Sequence, residues 1–203
     1  MGKYHRLDTV QEIVEKRCPW CLGSELYKSY HDTEWGVPCR DSATLFELVN
    51  LEGAQAGLSW ITILNKREAY RKLFHQFDPV KVSRMSDARL EKISVNPAIV
   101  RHKGKIAAVR GNAQALLAMQ KNGDDFAEFV WSFVGGKPVN NRFSSMVEVP
   151  ASTAQSLAMS KALKKQGFKF VGATICYAFM QASGMVNDHL LGCPRYKAVA
   201  TLS

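Results

Sequence analysis

Residues 154–184 read "AQSLAMSKALKKQGFKFVGATICYAFMQASG", and no other stretch constrains the fold as tightly. Ser152 or Thr153 can cap the first half as a helix, and Gly167 stands where a helix-terminating glycine belongs. After the short "GFKFVG", Val171, Ile175, Phe179 and Ala182 keep helical spacing. The pattern predicts helix, glycine-bounded hairpin and helix over about 153–183. Such a hairpin can aim backbone N–H groups and the second helix's N-terminus at a phosphate. Lys164, Lys165 and Lys169 surround it with positive charge. Tight turns between helices commonly contain glycine, so the pattern alone also fits an ordinary hairpin with a solvated basic face.

The rest is helical too, and the fold class expected is all-α. Asp41 or Ser42 can cap a helix carrying Leu45, Leu48, Val49 and Glu52, ending near Gly53 or Gly57. A second helix is predicted from about Ser59 to Phe77. Trp60, Ile63, Leu64, Tyr70 and Phe74 would form its apolar side, and Lys66, Arg67, Arg71 and Lys72 its basic side. Short helices follow near 80–84 and 86–94, then a longer one from Ile99 to about Met119 and another in "DDFAEFVWSFVGG". The stretch "GKPVNNRFSSMVEVP" is irregular. Glu52 is the anomaly: it continues an apolar stripe, where an unpaired charge is expensive to bury.

A net charge of +9 over 203 residues favours a polyanionic partner, though a generally basic enzyme has the same composition. No stretch approaches the ~20 apolar residues of a membrane span. Residues 1–17 lack the apolar middle of a signal peptide and read as a polar extension. The five cysteines, Cys18, Cys21, Cys39, Cys176 and Cys193, are odd in number and scattered, which suits a reducing cytoplasm. Cys18 and Cys21 form a CxxC with His31 downstream, and His189 and Cys193 make an i, i+4 pair. That is five candidates for the four positions of a structural zinc, and a pair from each end would clip the termini together.

The motifs "YHDTEWGVP", "LEGAQAGLSWITIL", "FVWSFV", "KALKKQGFKFVG" and "VNDHLLGC" resemble, in order, those of the bacterial 3-methyladenine DNA glycosylase I family. The resemblance covers roughly Cys18 to Cys193 and implies the helix-hairpin-helix glycosylase fold. It also implies one structural Zn2+ on Cys18, His31, His189 and Cys193, leaving Cys21 as the surplus thiol. Zinc-binding ends at 18–40 and 184–197 would then close one helical domain over 18–197, leaving 198–203 as a tail. The hairpin would anchor DNA through Gly167, Lys169, Val171 and Gly172, with Lys164 and Lys165 beside it.

By the same resemblance Glu52 recognises the base, and Tyr30 and Trp60, with Trp20 nearby, form the aromatic pocket. Leu58 would wedge into the gap left by a flipped nucleotide. The implied activity is excision of 3-methyladenine from double-stranded DNA without strand cleavage, by a monomer that needs no nucleotide cofactor. Many helix-hairpin-helix glycosylases of the wider superfamily carry a catalytic aspartate after the hairpin. Here Asn187 or Asp188 falls near that place, and Asp188 reads as an orienter of His189 rather than a catalyst. Trp35, Trp131, Phe126 and Phe133 read as core, and His75 and His102 as surface groups. Arg101, Lys103 and Lys105 either touch phosphates or form a solvated face.

Overall fold

Ser24 opens the first helix, α1 (Glu25–Thr33), by accepting the Tyr27 N–H at 3.2 Å. This is a computed structural model, and it describes residues 17–202. The extension read over 1–17 therefore lies, apart from Arg17, outside the described residues. Helix α2 (Ser42–Gln55) is capped by Asp41, which accepts from the Thr44 N–H at 2.7 Å. Every residue from Leu45 to Ala54 is buried, so α2 is the axis of the molecule rather than an amphipathic surface helix.

The single helix expected over 59–77 is broken. It forms α3 (Trp60–Leu64), α4 (Arg67–Leu73) and a left-handed turn at His75–Phe77. The two arginines of the basic side are paired rather than solvated, while Lys72 stays exposed. Arg67 bonds Glu47 of α2 at 2.8 Å and Glu34 at 2.6 Å, and Arg71 reaches the same Glu47 at 2.8 Å. These ion pairs draw α4 onto α2, and the chain bends at Asn65 and Lys66 to let them form.

The next helices are α5 (Pro79–Ser83), α6 (Asp87–Ser94) and α7 (Lys103–Lys121). The last begins four residues later than its apolar spacing suggests, because His102 is its cap and accepts the Lys105 N–H at 3.1 Å. Lys105 is spent internally, not on phosphate. Its ammonium donates to the Ala54 and Ala56 carbonyls at the C-terminus of α2, where a cation is favoured. Helix α8 (Phe126–Trp131) closes through Gly135.

The irregular stretch holds a two-residue strand, β1 (Val139–Asn140), which pairs in parallel with β2 (Val186–Asn187). Between them lie α9 (Ala154–Lys165) and α10 (Ala173–Ala182), with Thr153 and Ser156 forming a capping box. Helices α9 and α10 pack on each other, and α10 packs on α2. Gly184 follows with φ +71°, and a Cβ there would strike Pro38 N and Val37 C, so only glycine lets the two ends of the chain meet. The expected tail from 198 is partly helix: α11 (Pro194–Ala200) continues into it and buries Val199. Among the described residues no helix is long and apolar enough to cross a membrane.

Candidate active site and metal centre

Helix α2 delivers Glu52 to the wall of a cavity of about 210 Å³, which Tyr30, Trp60 and Trp20 also line. That is below the ~300 Å³ at which pockets for drug-sized ligands begin, and suits one flat heterocycle. The Tyr30 and Trp60 rings stand 5.5 Å apart at 44°. Glu52 is 3% exposed, and burial pushes its carboxyl up to about 8. Its Oε2 and the Trp60 Nε1 are buried without hydrogen-bond partners. Burial likewise raises the Tyr30 hydroxyl well above its ordinary value. A neutral acid, an unpaired indole N–H and aromatic faces form a slot whose buried polar atoms are free to meet a ligand.

Other lining residues were not singled out as pocket residues in the sequence. Tyr27 lies one helical turn before Tyr30, a spacing that already puts both on one face. Trp35, read as core, lines the cavity as well, and so do Met146 and Val149 of the irregular stretch. Asp188 also belongs to this wall, which corrects its reading as an orienter of His189. Its carboxylate accepts from Asn141 at 2.7 Å, Tyr177 at 2.6 Å and Gln181 at 2.8 Å. Successive residues of an extended segment face opposite sides, so Asp188 turns to the cavity and His189 away from it.

His189 turns towards Cys18, His31 and Cys193, and the four donor atoms lie within 4.8 Å of one another. His189 Nδ1 stands 3.1 Å from His31 Nε2, 3.9 Å from Cys18 Sγ and 3.8 Å from Cys193 Sγ. A tetrahedral ion with bonds of about 2.0–2.3 Å needs donors roughly 3.3–3.8 Å apart. The set therefore fits a metal ion. The outer ring nitrogens are also held: His31 Nδ1 by Asp32 at 2.8 Å, and His189 Nε2 by the Trp35 carbonyl at 3.0 Å. The proximity of the two thiols pulls Cys193 towards thiolate and pushes Cys18 up. Cys21 stands apart, its thiol donating to the Cys18 carbonyl at 3.1 Å.

The two centres share walls. Trp20 packs 5.3 Å from the His31 ring and 4.9 Å from Trp35, which in turn meets His189 at 4.6 Å. Leu58 is 42% exposed and lies in the chain between the lining residues Gln55 and Trp60. In the hairpin, Gly167 adopts φ +97°, and Gly172 caps α10 without a side-chain bond. The first N–H groups of α10 have no intrahelical partner by construction. Lys164, Lys165 and Lys169 are exposed beside them. Val171 differs from the exposed lysines: it is wholly buried, and its carbonyl accepts from Ser160 Oγ at 2.6 Å, so it supports the hairpin from inside.

Residues 20–196 match the family model for methyladenine glycosylase. The chain is 57% identical to DNA-3-methyladenine glycosylase 1 of Escherichia coli (strain K12), over 89% of this chain and 97% of that one. It superposes on a crystal structure of 3-methyladenine DNA glycosylase I with a TM-score of 0.87 and 56% identity, covering 88% of this chain and 98% of the other. A substituted 3-methyladenine DNA glycosylase I in complex with 3-methyladenine matches at TM-score 0.84 and 37% identity, over 87% and 95%. The chain belongs to the methyladenine glycosylase family.

Proposed function

We propose that this protein excises 3-methyladenine from alkylated double-stranded DNA by hydrolysing the N-glycosidic bond, leaving an abasic site. The observation that carries the reading is Glu52, a buried carboxyl with one unpartnered oxygen in an aromatic slot. Adenine methylated at N3 within DNA is cationic and leaves as a neutral base once it takes the bond electrons. The cation favours the ionised form of Glu52, whose proton passes to solvent as the base binds, and the carboxylate also accepts from the exocyclic amino group. Trp60, Tyr30 and Trp20 favour the cation over neutral adenine through their ring faces. Water adds to the sugar carbon as the bond breaks, and its proton passes to solvent. No lysine lines the cavity among the described residues, which supports hydrolysis without strand cleavage.

Gly167, Lys169, Gly172 and the α10 N-terminus hold a phosphate in this reading, with Lys164 and Lys165 adding charge and Leu58 filling the gap in the duplex. Cys18, His31, His189 and Cys193 would hold one zinc ion, which supplies a crosslink between the chain's two ends. The protein acts as a monomer. The test is chromatography of bases released from methylated DNA by the purified protein. Release of 3-methyladenine alone is expected. Release of 7-methylguanine as well would make the pocket less selective than Glu52 and its aromatic neighbours suggest. Binding of damaged DNA with no release would overturn the enzymatic reading.

A further inference from the structure

We propose that Asn112 is a positioning residue that locks the hairpin to the helix carrying Glu52. It rests on the reading of the hairpin as the DNA contact. Asn112 lies in mid-α7, 2% exposed, and its amide is used in three directions. Oδ1 accepts the Lys169 N–H at 2.8 Å. Nδ2 donates to the Lys169 carbonyl at 3.3 Å and to Asn50 Oδ1 at 2.9 Å. Asn50 in turn donates to the Phe46 carbonyl at 2.8 Å, one turn back along α2. Only a carboxamide offers an acceptor towards one N–H and donors towards two oxygens.

A second contact ties the same hairpin to the same helix. A Cβ on Gly53 would lie 3.1 Å from the Phe170 carbonyl oxygen and 3.2 Å from Phe170 Cβ, so glycine lets the hairpin rest on α2. Asn50 and Gly53 flank Glu52, and Lys169 and Phe170 are adjacent at the hairpin's tip. Phe170 sits at φ +57°, a conformation that a bulky side chain adopts only when its surroundings impose it. One buried amide thus fixes both the hairpin's shape and its distance from the base-recognising carboxyl.

A flipped base and the phosphate beside it belong to one strand, so they must be gripped at one fixed separation. A hairpin that swings against α2 holds that separation for only part of the time, and duplex affinity falls in proportion to that fraction. The affinity of the pocket for a free base is unaffected by the swing.

The test uses Asn112→Ala and Asn112→Asp, the second of which turns a carboxylate towards two oxygens. Dissociation constants are measured for a duplex carrying an abasic-site analogue, and for free 3-methyladenine by tryptophan fluorescence. Duplex affinity should fall on the order of ten- to a hundredfold while free-base affinity stays within about twofold. Unchanged duplex affinity in a folded variant, or equal loss of base and duplex, would overturn the proposal. Wild-type protein gives a second reading, since the Lys169 amide should exchange slowly with solvent although its side chain is exposed. Exchange at the rate of an open loop would also overturn it. A Lys164→Ala/Lys165→Ala control separates the premises. If that pair leaves duplex affinity untouched, the hairpin is not the DNA contact, and the role of Asn112 falls with it.

Discussion

The Cys/His cluster, which could hold a metal ion, and the cavity around Glu52 are both buried, both assembled from distant segments, and joined through Trp20 and Trp35. They differ in how their polar atoms are spent. In the cluster each histidine ring has its outer nitrogen held, by Asp32 or by the Trp35 carbonyl, and its inner nitrogen turned to the other donors. In the pocket, Glu52 Oε2 and Trp60 Nε1 have no partner. A buried polar group left unsatisfied costs stability, typically about 1–3 kcal/mol. A saturated buried centre therefore serves the fold, and an unsaturated one serves a ligand.

The largest expected effect comes from breaking the saturated centre. If the cluster holds a metal ion, as proposed, chelation or Cys193→Ser removes a crosslink between residues more than 150 positions apart, such as His31 and His189. We expect metal content to fall below one equivalent, with a loss of several kcal/mol in stability read by thermal denaturation. Because Trp20 and Trp35 pack against the histidine rings, free-base affinity should fall with it. Full metal content in the Cys193→Ser protein would show that the ligand set is drawn wrongly, with Cys21 the first replacement to test.

Glu52→Gln is the converse experiment. Excision should drop on the order of a hundredfold or more in kcat/KM, the scale of losing a preorganised charge contact in a buried site. Metal content should not change. The pH dependence sharpens this. With the carboxyl pushed up to about 8 by burial, the folded protein keeps a proton that the unfolded chain has already lost. Stability from that proton is complete at acid pH and is lost as pH rises through about 8, so wild type should lose stability relative to Glu52→Gln over that window. Activity runs the other way. The cationic lesion needs the ionised form, so kcat/KM should climb by about tenfold per pH unit and level off above the Glu52 value, and the Gln variant should lack the climb.

The same contrast explains what could be read in the chain before its structure. The hairpin was legible because its signals are local: the Thr153 cap, Gly167 at positive φ and regular spacing in α10. Glu52 was legible because a charge on an apolar stripe breaks a rule. The break between α3 and α4 was not, since it serves ion pairs from Arg67 and Arg71 to Glu47, twenty or more residues away. The pocket wall from Met146 to Val149 lies in a stretch without periodicity, so nothing local announced it. The facing of Asp188 depends on β1 pairing with β2, a bridge between residues 47 positions apart such as Val139 and Val186.

Asp188 gives the finest test, because it combines a place in the pocket with the satisfied bonding of the metal cluster. Three donors, from Asn141, Tyr177 and Gln181, converge on its two oxygens. If saturation marks a structural role, Asp188→Asn should cost stability more than recognition. The new amide would turn an N–H₂ towards groups that are themselves donors, costing about 1–3 kcal/mol in denaturant unfolding. Free-base affinity should change far less than in Glu52→Gln. The opposite result, normal stability with excision lost, would place a working anion in the pocket beside Glu52. Saturation would then fail as a guide here, because a carboxylate fully bonded to neutral donors still carries its charge, and that charge would be what the sugar cation feels as the base departs.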